Sequence, residues 1–171
     1  MSEIISGKAY YCRDLVDTDV MAPGRFEPCE SLEQLGRNAL IDYESDIPFV
    51  NPETGKSDFT VIFAGKEFGC GSSRDTAARA LHIAGALVVI ARSFARIFFR
   101  NCVNMGLLLP ITYDHPFDDG IIGKEVQVDL AAHTFTAEGQ TFSFPDFGPL
   151  TSIIQAGGLL PYVKQTLEVT A

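Results

Sequence analysis

The segment of the chain best suited to chemistry is FGCGSSR, from Phe68 to Arg74. Its glycines allow the backbone to approach a ligand closely. Ser72 and Ser73 add neighbouring hydroxyl groups, and the arginine adds a planar guanidinium that can donate parallel hydrogen bonds to a carboxylate. These residue types, in this order, predict a site for a small polycarboxylic acid.

The flanking sequence places this segment between a strand and a helix. The apolar run Phe59 to Gly65 is typical of a buried strand, and the alanine-rich segment Ser73 to Ala84 predicts a helix. The first turn of a helix favours an anion, because its N–H groups are unpaired and the helix dipole is positive there. A helix cap explains the same pattern, since Ser72 followed by Asp75 forms a capping box, so both interpretations stay open. A dinucleotide loop is disfavoured because G-x-G-x-x-G needs glycine where Arg74 stands.

Composition limits the class of function. The chain has 171 residues, of which 46% are hydrophobic, and we expect residues 1–171 to form a single domain. Its formal net charge of -9 argues against a nucleic-acid partner, since phosphate binding needs clustered lysines and arginines. No apolar run reaches the roughly 20 residues of a membrane span, and the first residues lack the pattern of a signal peptide. We therefore expect a cytoplasmic protein with no nucleic-acid or membrane partner.

The spacing of the cysteines predicts no metal site within this chain. They stand far apart in the sequence, at Cys12, Cys29, Cys70 and Cys102. Zinc and iron–sulfur sites need clustered thiolates, for which a C-x-x-C pair is the usual signal. We expect each cysteine to be a small, reduced, apolar residue.

The remaining pattern predicts an α/β fold. Three apolar runs, FTVIFAG, ALVVIA and GLLLPITY, alternate with predicted helices at 73–84 and 93–105. This alternation is typical of parallel strands joined by right-handed crossovers. Three later segments, EVQVDL, HTFTA and QTFSF, alternate apolar and polar residues and predict antiparallel strands. A helix is predicted from Ser31 to Ile41, and short helices interrupted by Gly157 and Gly158 are predicted at the end.

Longer stretches of the sequence resemble one known family. FGCGSSR, the alanine-rich segment after it and VVIARSFARIFFRNCVNMGLLLP are similar to the swivelling domain of the aconitase superfamily. DLVDTDVMAPGRF resembles that family's Asp-Thr-Asp…Pro turn, and IIQAGGLLPYVK resembles its C-terminal helix. The matches follow the family's order and extend from about residue 7 to 168. More narrowly, the chain resembles the separate small subunit of 3-isopropylmalate dehydratase and its relatives, which implies a swivelling β/β/α domain.

The resemblance implies a division of labour between two chains. In this family a large partner subunit carries a [4Fe-4S] cluster and the small subunit closes over it, so this chain alone should bind no cofactor. The implied activity is that of a hydro-lyase subunit that interconverts 2-isopropylmalate and 3-isopropylmalate in leucine biosynthesis. The reaction removes water from a hydroxy acid and adds it back through an alkene, with iron of the cluster acting as a Lewis acid on the departing hydroxyl.

The resemblance also implies roles for individual residues. Ser72 matches the family's base, which takes a proton alpha to a carboxylate, and Ser73 and Arg74 match the positions that bind substrate carboxylate. A serine alkoxide needs support, which we expect from the N–H groups of the following helix and from the nearby guanidinium. Asp19 matches an aspartate at the family's active site. An Asx turn before Pro23 is the structural alternative for Asp19.

The sequence departs from the family at two places that bear on specificity. Phe26-Glu27 stands where relatives carry an aromatic-leucine pair that contacts the variable group of the substrate. A glutamate is a poor neighbour for an isopropyl branch. The preceding Arg25 is a candidate for binding a carboxylate there, and a solvated surface arginine is the alternative. Asp75-Thr76 replaces a Glu-His pair, which keeps the acidic residue and loses the imidazole.

Other hypotheses remain beside the isopropylmalate reaction. The small subunits of homoaconitase, citraconate or maleate hydratase and dimethylmalate dehydratase use the same scaffold and differ at the variable group of the substrate. A different class is a non-catalytic, anion-binding regulatory module, against which the intact Ser72-Ser73-Arg74 argues. The expected partners are a cluster-bearing large subunit and a small hydroxy-polycarboxylic acid, and isolated chains are compatible with self-association.

Overall fold

A computed structural model of the protein describes residues 4–28 and 31–169. Within these residues seven strands form one sheet, connected by six helices and three 3-10 turns. The strands are β1 (Ile4–Cys12), β2 (Phe59–Ala64), β3 (Val88–Ala91), β4 (Leu109–Thr112), β5 (Glu125–Asp129), β6 (Thr134–Ala137) and β7 (Gln140–Ser143). The helices are α1 (Thr18–Met21), α2 (Leu32–Arg37), α3 (Thr76–Ala84), α4 (Arg96–Met105), α5 (Thr151–Ala156) and α6 (Leu159–Val169). The 3-10 turns are Gly24–Phe26, Asp119–Ile121 and Gly148–Leu150.

The sheet has a parallel half and an antiparallel half, in the order β4-β3-β2-β1-β5-β6-β7. Strands β1 to β4 pair in parallel, and the segments between them contain α1 to α4. Strand β1 also pairs with β5 in the antiparallel sense, and β5, β6 and β7 follow as an antiparallel meander. The predicted fold class, a parallel strand–helix core with additional antiparallel strands, is confirmed.

Helices α2 and α3 pack together against one face of the parallel strands. The alanines of α3 are fully buried at positions 77, 78, 80 and 84. Alanine is the best helix former, and its short side chain lets the helix lie close to its neighbours. The contact with α2 is equally close, because a Cβ at Gly36 would collide with Ile83. The alanine-rich composition therefore fixes α3, and the segment just before it, tightly against the sheet.

The opposite face of the sheet is covered by a core of aliphatic and aromatic side chains. Phe135 of β6 is fully buried, with its ring centroid 5.1 Å from the ring centroids of both Phe142 and Tyr113. It also contacts Phe63 of β2, at 5.8 Å between centroids. Since β1 and β5 separate β6 from β2 in the strand order, this contact requires the sheet to curl. The antiparallel half therefore folds over the parallel half and completes a second core.

The predicted strands are confirmed, while one boundary is wrong in each of three predicted helices. The helix expected from Ser93 begins at Arg96. The helix expected from Ser73 begins at Thr76, and Asp75 precedes it without a side-chain cap. The helix expected from Ser31 to Ile41 has its Ser31 cap but ends at Arg37. Leu40 lies beyond that end with a φ of 55°, a conformation that a right-handed helix excludes. The break predicted at Gly157 and Gly158 separates α5 from α6, as expected.

Three cysteines within the described ranges are free thiols. Cys12 and Cys102 are buried, and burial raises the pKa of both thiols well above the ordinary range. Cys70 is partly exposed in the loop after β2, whereas Cys29 lies outside the described residues. Among residues 4–28 and 31–169, no helix has both the length and the apolar character required to cross a membrane.

Candidate active site

Two loops that follow β1 and β2 run side by side and build the candidate site. Backbone pairing continues past the strand ends, because the N–H of Leu15 donates to the carbonyl of Lys66 at 2.8 Å. Further along, the N–H of Thr18 donates to the carbonyl of Cys70, also at 2.8 Å. Ligand sites in α/β proteins commonly lie at the carboxyl ends of parallel strands. Here the parallel pairing brings the Asp-Thr-Asp segment against the Gly-Ser-Ser-Arg segment.

Glycines at positions 69 and 71 permit this close approach. Their φ values are 83° and 98°, in the region that residues with a side chain rarely adopt. A Cβ at Gly69 would collide with the ring of Phe98, and a Cβ at Gly71 would collide with the carboxylate of Asp17. Both glycines are therefore required by the path of the loop itself.

The hydroxyl of Ser72 lies at the centre of a hydrogen-bond cluster. Arg74 Nε donates to Ser72 Oγ at 3.0 Å, and Thr18 Oγ1 lies 3.1 Å from the same oxygen. The N–H of Ser72 donates to Thr18 Oγ1 at 3.0 Å. A guanidinium that donates to a hydroxyl oxygen favours the charged form of that oxygen. The arrangement therefore suits Ser72 to act as a base.

The guanidinium of Arg74 is held by two carboxylates in addition to Ser72. Its Nη1 donates to Glu27 Oε2 at 3.3 Å, and its Nη2 forms an ion pair with Asp19. The side chain of Arg74 is 34% exposed and that of Asp19 is 64% exposed, so one edge of the cluster is open to solvent. Within the described residues, the second oxygen of Glu27 is buried without a hydrogen-bond partner. The carboxylate of a ligand can bind the guanidinium of Arg74 by displacing Asp19 or Glu27.

Ser73 lies at the open edge of the cluster, with its residue exposed. Its carbonyl accepts a hydrogen bond from Asn101 Nδ2 of α4 at 3.4 Å. This contact joins the loop to α4. The structure therefore joins Ser72, Arg74 and Asp19 by direct contacts and places Ser73 next to them in the chain, while their roles stay predictions.

Arg25 and Phe26 occupy the same loop but form a separate cluster. Arg25 is paired with Asp42, with Nη2 and Oδ1 2.6 Å apart, and its Cζ lies 4.5 Å from the centre of the Phe26 ring. Hydrogen bonding from Arg25 lowers the pKa of the Asp42 carboxyl, and the same bond raises the pKa of Arg25. A ligand carboxylate would have to compete with Asp42 for Arg25.

The expected support of Ser72 by a helix N-terminus needs correction. Because α3 begins at Thr76, Ser72 lies four positions before the helix and outside its first turn. The segment from Gly71 to Arg74 is not helical, and the N–H of Ser72 donates to the side chain of Thr18 in the loop after β1. The contacts of Ser72 Oγ are instead with Arg74 Nε and Thr18 Oγ1, and sequence reasoning missed Thr18 and Glu27 as members of the cluster. Their contacts depend on how separate loops align in space, and this alignment cannot be read from the residue pattern of one segment.

The cluster is an open surface feature and lacks the ligands of a metal site. The cleft of about 710 Å³ near Tyr11, Arg13 and Tyr43 does not include Ser72. No group of three or more histidine, cysteine, aspartate or glutamate side chains that could hold a metal occurs among residues 4–28 and 31–169. Partial burial, followed by the nearby Asp17, raises the pKa of the Cys70 thiol, which disfavours the thiolate.

Comparison with known proteins identifies the family. The family described as the Aconitase C-terminal domain matches residues 33–116. The 3-isopropylmalate dehydratase small subunit of Caldicellulosiruptor bescii is 41% identical over 174 residues, covering 98% of this chain and 99% of the relative. The methanogen homoaconitase small subunit of Methanothermobacter thermautotrophicus is 37% identical over 98% of this chain and 95% of the relative. A crystal structure of 3-isopropylmalate dehydratase from Methanocaldococcus jannaschii superimposes with a TM-score of 0.79 and 34% identity, covering 98% of this chain and 97% of that one. The chain therefore belongs to the aconitase-type family of 3-isopropylmalate dehydratase small subunits, and the resemblance seen in its motifs is confirmed.

Proposed function

We propose that this chain, as one swivelling domain, is the small subunit of a heteromeric hydro-lyase that interconverts 2-isopropylmalate and 3-isopropylmalate in leucine biosynthesis. This assignment is supported by the names of relatives that match the chain over nearly its whole length. The observation that carries it is the hydroxyl of Ser72, held 3.0 Å from Arg74 Nε at an open edge of the molecule. A base beside a carboxylate-binding fork is the pairing that removal of a proton alpha to a carboxylate requires.

Ser72 moves the proton in both directions of the reaction. As an alkoxide it takes the proton from the carbon alpha to a carboxylate, while the hydroxyl leaves the neighbouring carbon. The electron pair of the broken C–H bond becomes part of the alkene. On rehydration, Ser72 returns the proton to the carbon that lost the hydroxyl and hydroxide adds to the other carbon, which leaves Ser72 as the alkoxide again. The hydrogen bond from Arg74 lowers the cost of the negative charge on Ser72.

Arg74 and Ser73 bind and orient the substrate. A substrate carboxylate replaces either Asp19 or Glu27 on the guanidinium, so that charge neutralisation is kept throughout binding. The exposed hydroxyl of Ser73 donates a further hydrogen bond at the same edge. Asp19 remains at the rim, where its 64% exposure leaves it available to substrate or partner.

The large subunit supplies what this chain lacks. Chemistry on a charged intermediate needs exclusion of water, and a surface site obtains it when a second chain covers the site. The described residues do not offer the donor set of an iron–sulfur cluster, so we assign the [4Fe-4S] cluster to the partner. When bound there, the cluster supplies a Lewis acid for the departing hydroxyl. The free thiols of Cys12, Cys70 and Cys102 support a reducing, cytoplasmic setting.

A homoaconitase-type reaction is the second candidate. The loop that bears Arg25 and Glu27 is polar, and an isopropyl branch gains little from such neighbours. A substrate with an additional carboxylate could bind Arg25 after displacing Asp42. A relative named as a homoaconitase small subunit is 37% identical to this chain.

The test is anaerobic reconstitution with candidate large subunits, followed by absorbance of the alkene, which is formed from isopropylmalate, homocitrate or citramalate and is consumed when maleate is the substrate. We expect turnover of isopropylmalate, and a loss of about 10²–10⁴-fold in kcat for Ser72→Ala, the range for removal of a general base. Ser143→Ala, at the exposed end of β7, is the matched control and should keep full activity.

Three results would change the assignment. Turnover of homocitrate alone selects the homoaconitase reaction. Unchanged turnover in Ser72→Ala removes Ser72 from the role of base. Binding of a hydroxy acid by the isolated chain, without turnover in any reconstituted complex, supports the regulatory module.

A further inference from the structure

Thr18 is buried next to the candidate base, and the proposed reaction leaves it without a role. The residue is 2% exposed, although threonine is mostly found at protein surfaces. Its Oγ1 lies 3.1 Å from Ser72 Oγ and accepts the N–H of Ser72 at 3.0 Å. One hydroxyl therefore contacts both the backbone and the side chain of the residue that must carry a charge.

The same hydroxyl also faces a carboxylate. Thr18 Oγ1 lies 3.5 Å from Asp17 Oδ1, and this oxygen also accepts the N–H of Asp19 at 2.7 Å. A hydroxyl has one proton and two lone pairs, and it rotates freely about its C–O bond. Thr18 can therefore direct its proton either to Asp17 or to Ser72, depending on which of them accepts more strongly.

We infer that Thr18 is a positioning residue that fixes Ser72 and donates its hydroxyl hydrogen bond to the Ser72 oxygen while that oxygen is negatively charged. The inference rests on the proposed role of Ser72 as the base. When Ser72 has taken the proton from the substrate carbon, the Ser72 hydroxyl donates to Thr18 Oγ1 and the Thr18 hydroxyl turns toward Asp17. The only proton that changes its atom is the one moved from carbon to Ser72.

The surroundings make such a hydrogen bond effective. Hydrogen bonds to an ionised partner are stronger than neutral ones, and burial strengthens them further. Arg74 Nε approaches the same oxygen at 3.0 Å, so Thr18 and Arg74 together supply two donors to one charge. The backbone hydrogen bond from Ser72 to Thr18 keeps the two side chains in register.

The decisive experiment compares Thr18→Val with Thr18→Ser in the complex assembled with the large subunit. Thr18→Val preserves the shape and removes the hydroxyl, so we expect kcat to fall about 100-fold, as for loss of one donor to a developing oxyanion, with KM changed less than about threefold. Thr18→Ser keeps the hydroxyl and should stay within about threefold of the unchanged chain in both constants. Thr136→Val, which breaks a hydroxyl pair of 3.0 Å with Thr141 on the antiparallel strands, is the control and should leave both constants unchanged.

The pH profile separates this role from simple packing. Without the Thr18 donor the alkoxide is less stable, so kcat of Thr18→Val should rise at a higher pH than kcat of the unchanged chain, and Thr18→Ser should restore the original profile. Equal losses of kcat in Thr18→Val and Thr18→Ser would overturn the inference. Thr18→Ser keeps the hydroxyl, so its loss would come from altered packing. An unshifted profile in Thr18→Val would overturn it as well.

A second measurement does not depend on turnover. In the isolated full-length chain, the N–H of Ser72 should exchange with deuterium roughly tenfold faster in Thr18→Val, which lacks its acceptor, and at an unchanged rate in Thr18→Ser. Unchanged exchange in Thr18→Val would overturn the positioning role. If the unchanged chain shows no turnover with any large subunit, the proposed function fails, and the exchange measurement still decides whether Thr18 holds Ser72.

Discussion

The parallel and antiparallel halves of the sheet divide the tasks of the molecule. At the carboxyl ends of β1 and β2, polar loops meet and place Thr18 beside Ser72, which are 54 positions apart in the sequence. In the antiparallel half, tight turns join β5, β6 and β7, and their inward side chains form an aromatic core around Phe135.

The difference follows from how strands connect. Parallel neighbours need a crossover, so their loops come from distant parts of the chain and gather at one edge of the sheet. Antiparallel neighbours are joined by short turns, so each contact is local in sequence. The parallel half can therefore combine groups from separate segments into one site, while the antiparallel half mainly stabilises the curl that covers the second face.

The largest effect should come from the antiparallel core. Phe135→Ala removes a fully buried ring that contacts Phe63, Phe142 and Tyr113, so we expect the free energy of unfolding to fall by about 3–5 kcal/mol. Urea unfolding of the isolated chain measures the loss. Phe142→Ala, which removes a partly exposed ring of the same cluster, should cost less.

If the two halves of the sheet have separate tasks, Phe135→Ala should leave kcat unchanged. Activity per folded molecule, measured in the reconstituted complex below the unfolding temperature, should match that of the unchanged chain. A fall in kcat with the folded fraction held constant would show that the two halves are coupled and that the division of tasks is wrong.

Arg74→Lys should give the opposite result. Lysine keeps the positive charge but loses the planar fork that contacts Ser72, Asp19 and Glu27 together. We expect kcat/KM to fall about 100-fold, equivalent to about 2.7 kcal/mol of transition-state stabilisation, with little change in unfolding by urea. Arg79→Lys, on the exposed pair with Asp75, is the control and should leave both quantities unchanged. Equal kcat/KM for Arg74→Lys and the unchanged chain would show that the planar guanidinium of Arg74 is not needed to bind the substrate carboxylate.

The difference between the parallel and antiparallel halves also explains which structural features could be predicted from the sequence. Alternating residues in QTFSF and HTFTA predict β7 and β6 directly, because an antiparallel strand shows its two faces as a period of two. The capping pattern of Ser72 and Asp75 predicts a start of α3 three residues too early. That pattern depends only on neighbouring residues and takes no account of contacts with other segments. In the structure the N–H of Ser72 donates to Thr18 in the loop after β1, and Ser72 stays outside the helix.

The chemistry of the site shows the same limit. The types of Ser72, Ser73 and Arg74 predict a carboxylate site from their own properties. The assignments of Ser72 as a base and of Asp19 as an active-site aspartate come from the family resemblance, and both remain predictions. The contact of Glu27 with Arg74 depends on the path of the Gly24–Phe26 turn, and that of Thr18 with Ser72 on the register of two loops. Neither contact follows from spacing within one segment.

A pair of glycine substitutions tests whether the parallel loops really depend on close approach. Gly71→Ala places a Cβ against Asp17 at a φ of 98°, so we expect a loss of about 2 kcal/mol in unfolding free energy and a displaced Ser72 amide resonance in NMR spectra. Gly139→Ala, in the turn between β6 and β7, has a φ of 75° and open space around the Cβ, so it should cost about 1 kcal/mol from strain alone. Equal costs for the two variants would mean that contact with Asp17 contributes nothing.

The smallest effect concerns two aspartates, one in each region. Arg25 donates hydrogen bonds to Asp42 and lowers its pKa, whereas the N–H of Gly148 and then the hydroxyl of Thr151 lower the pKa of Asp146, just after β7. A lowered folded-state pKa stabilises the fold above the ordinary aspartate range, and this contribution disappears as pH falls through the lowered value. Carboxyl-carbon NMR titration of Arg25→Gln should return the pKa of Asp42 toward its ordinary value and leave Asp146 unchanged. The stability difference between Arg25→Gln and the unchanged chain should accordingly vanish in acid. An unaltered titration of Asp42 would mean that the ion pair is absent in solution, and Arg25 would then be free to meet a substrate carboxylate without competition.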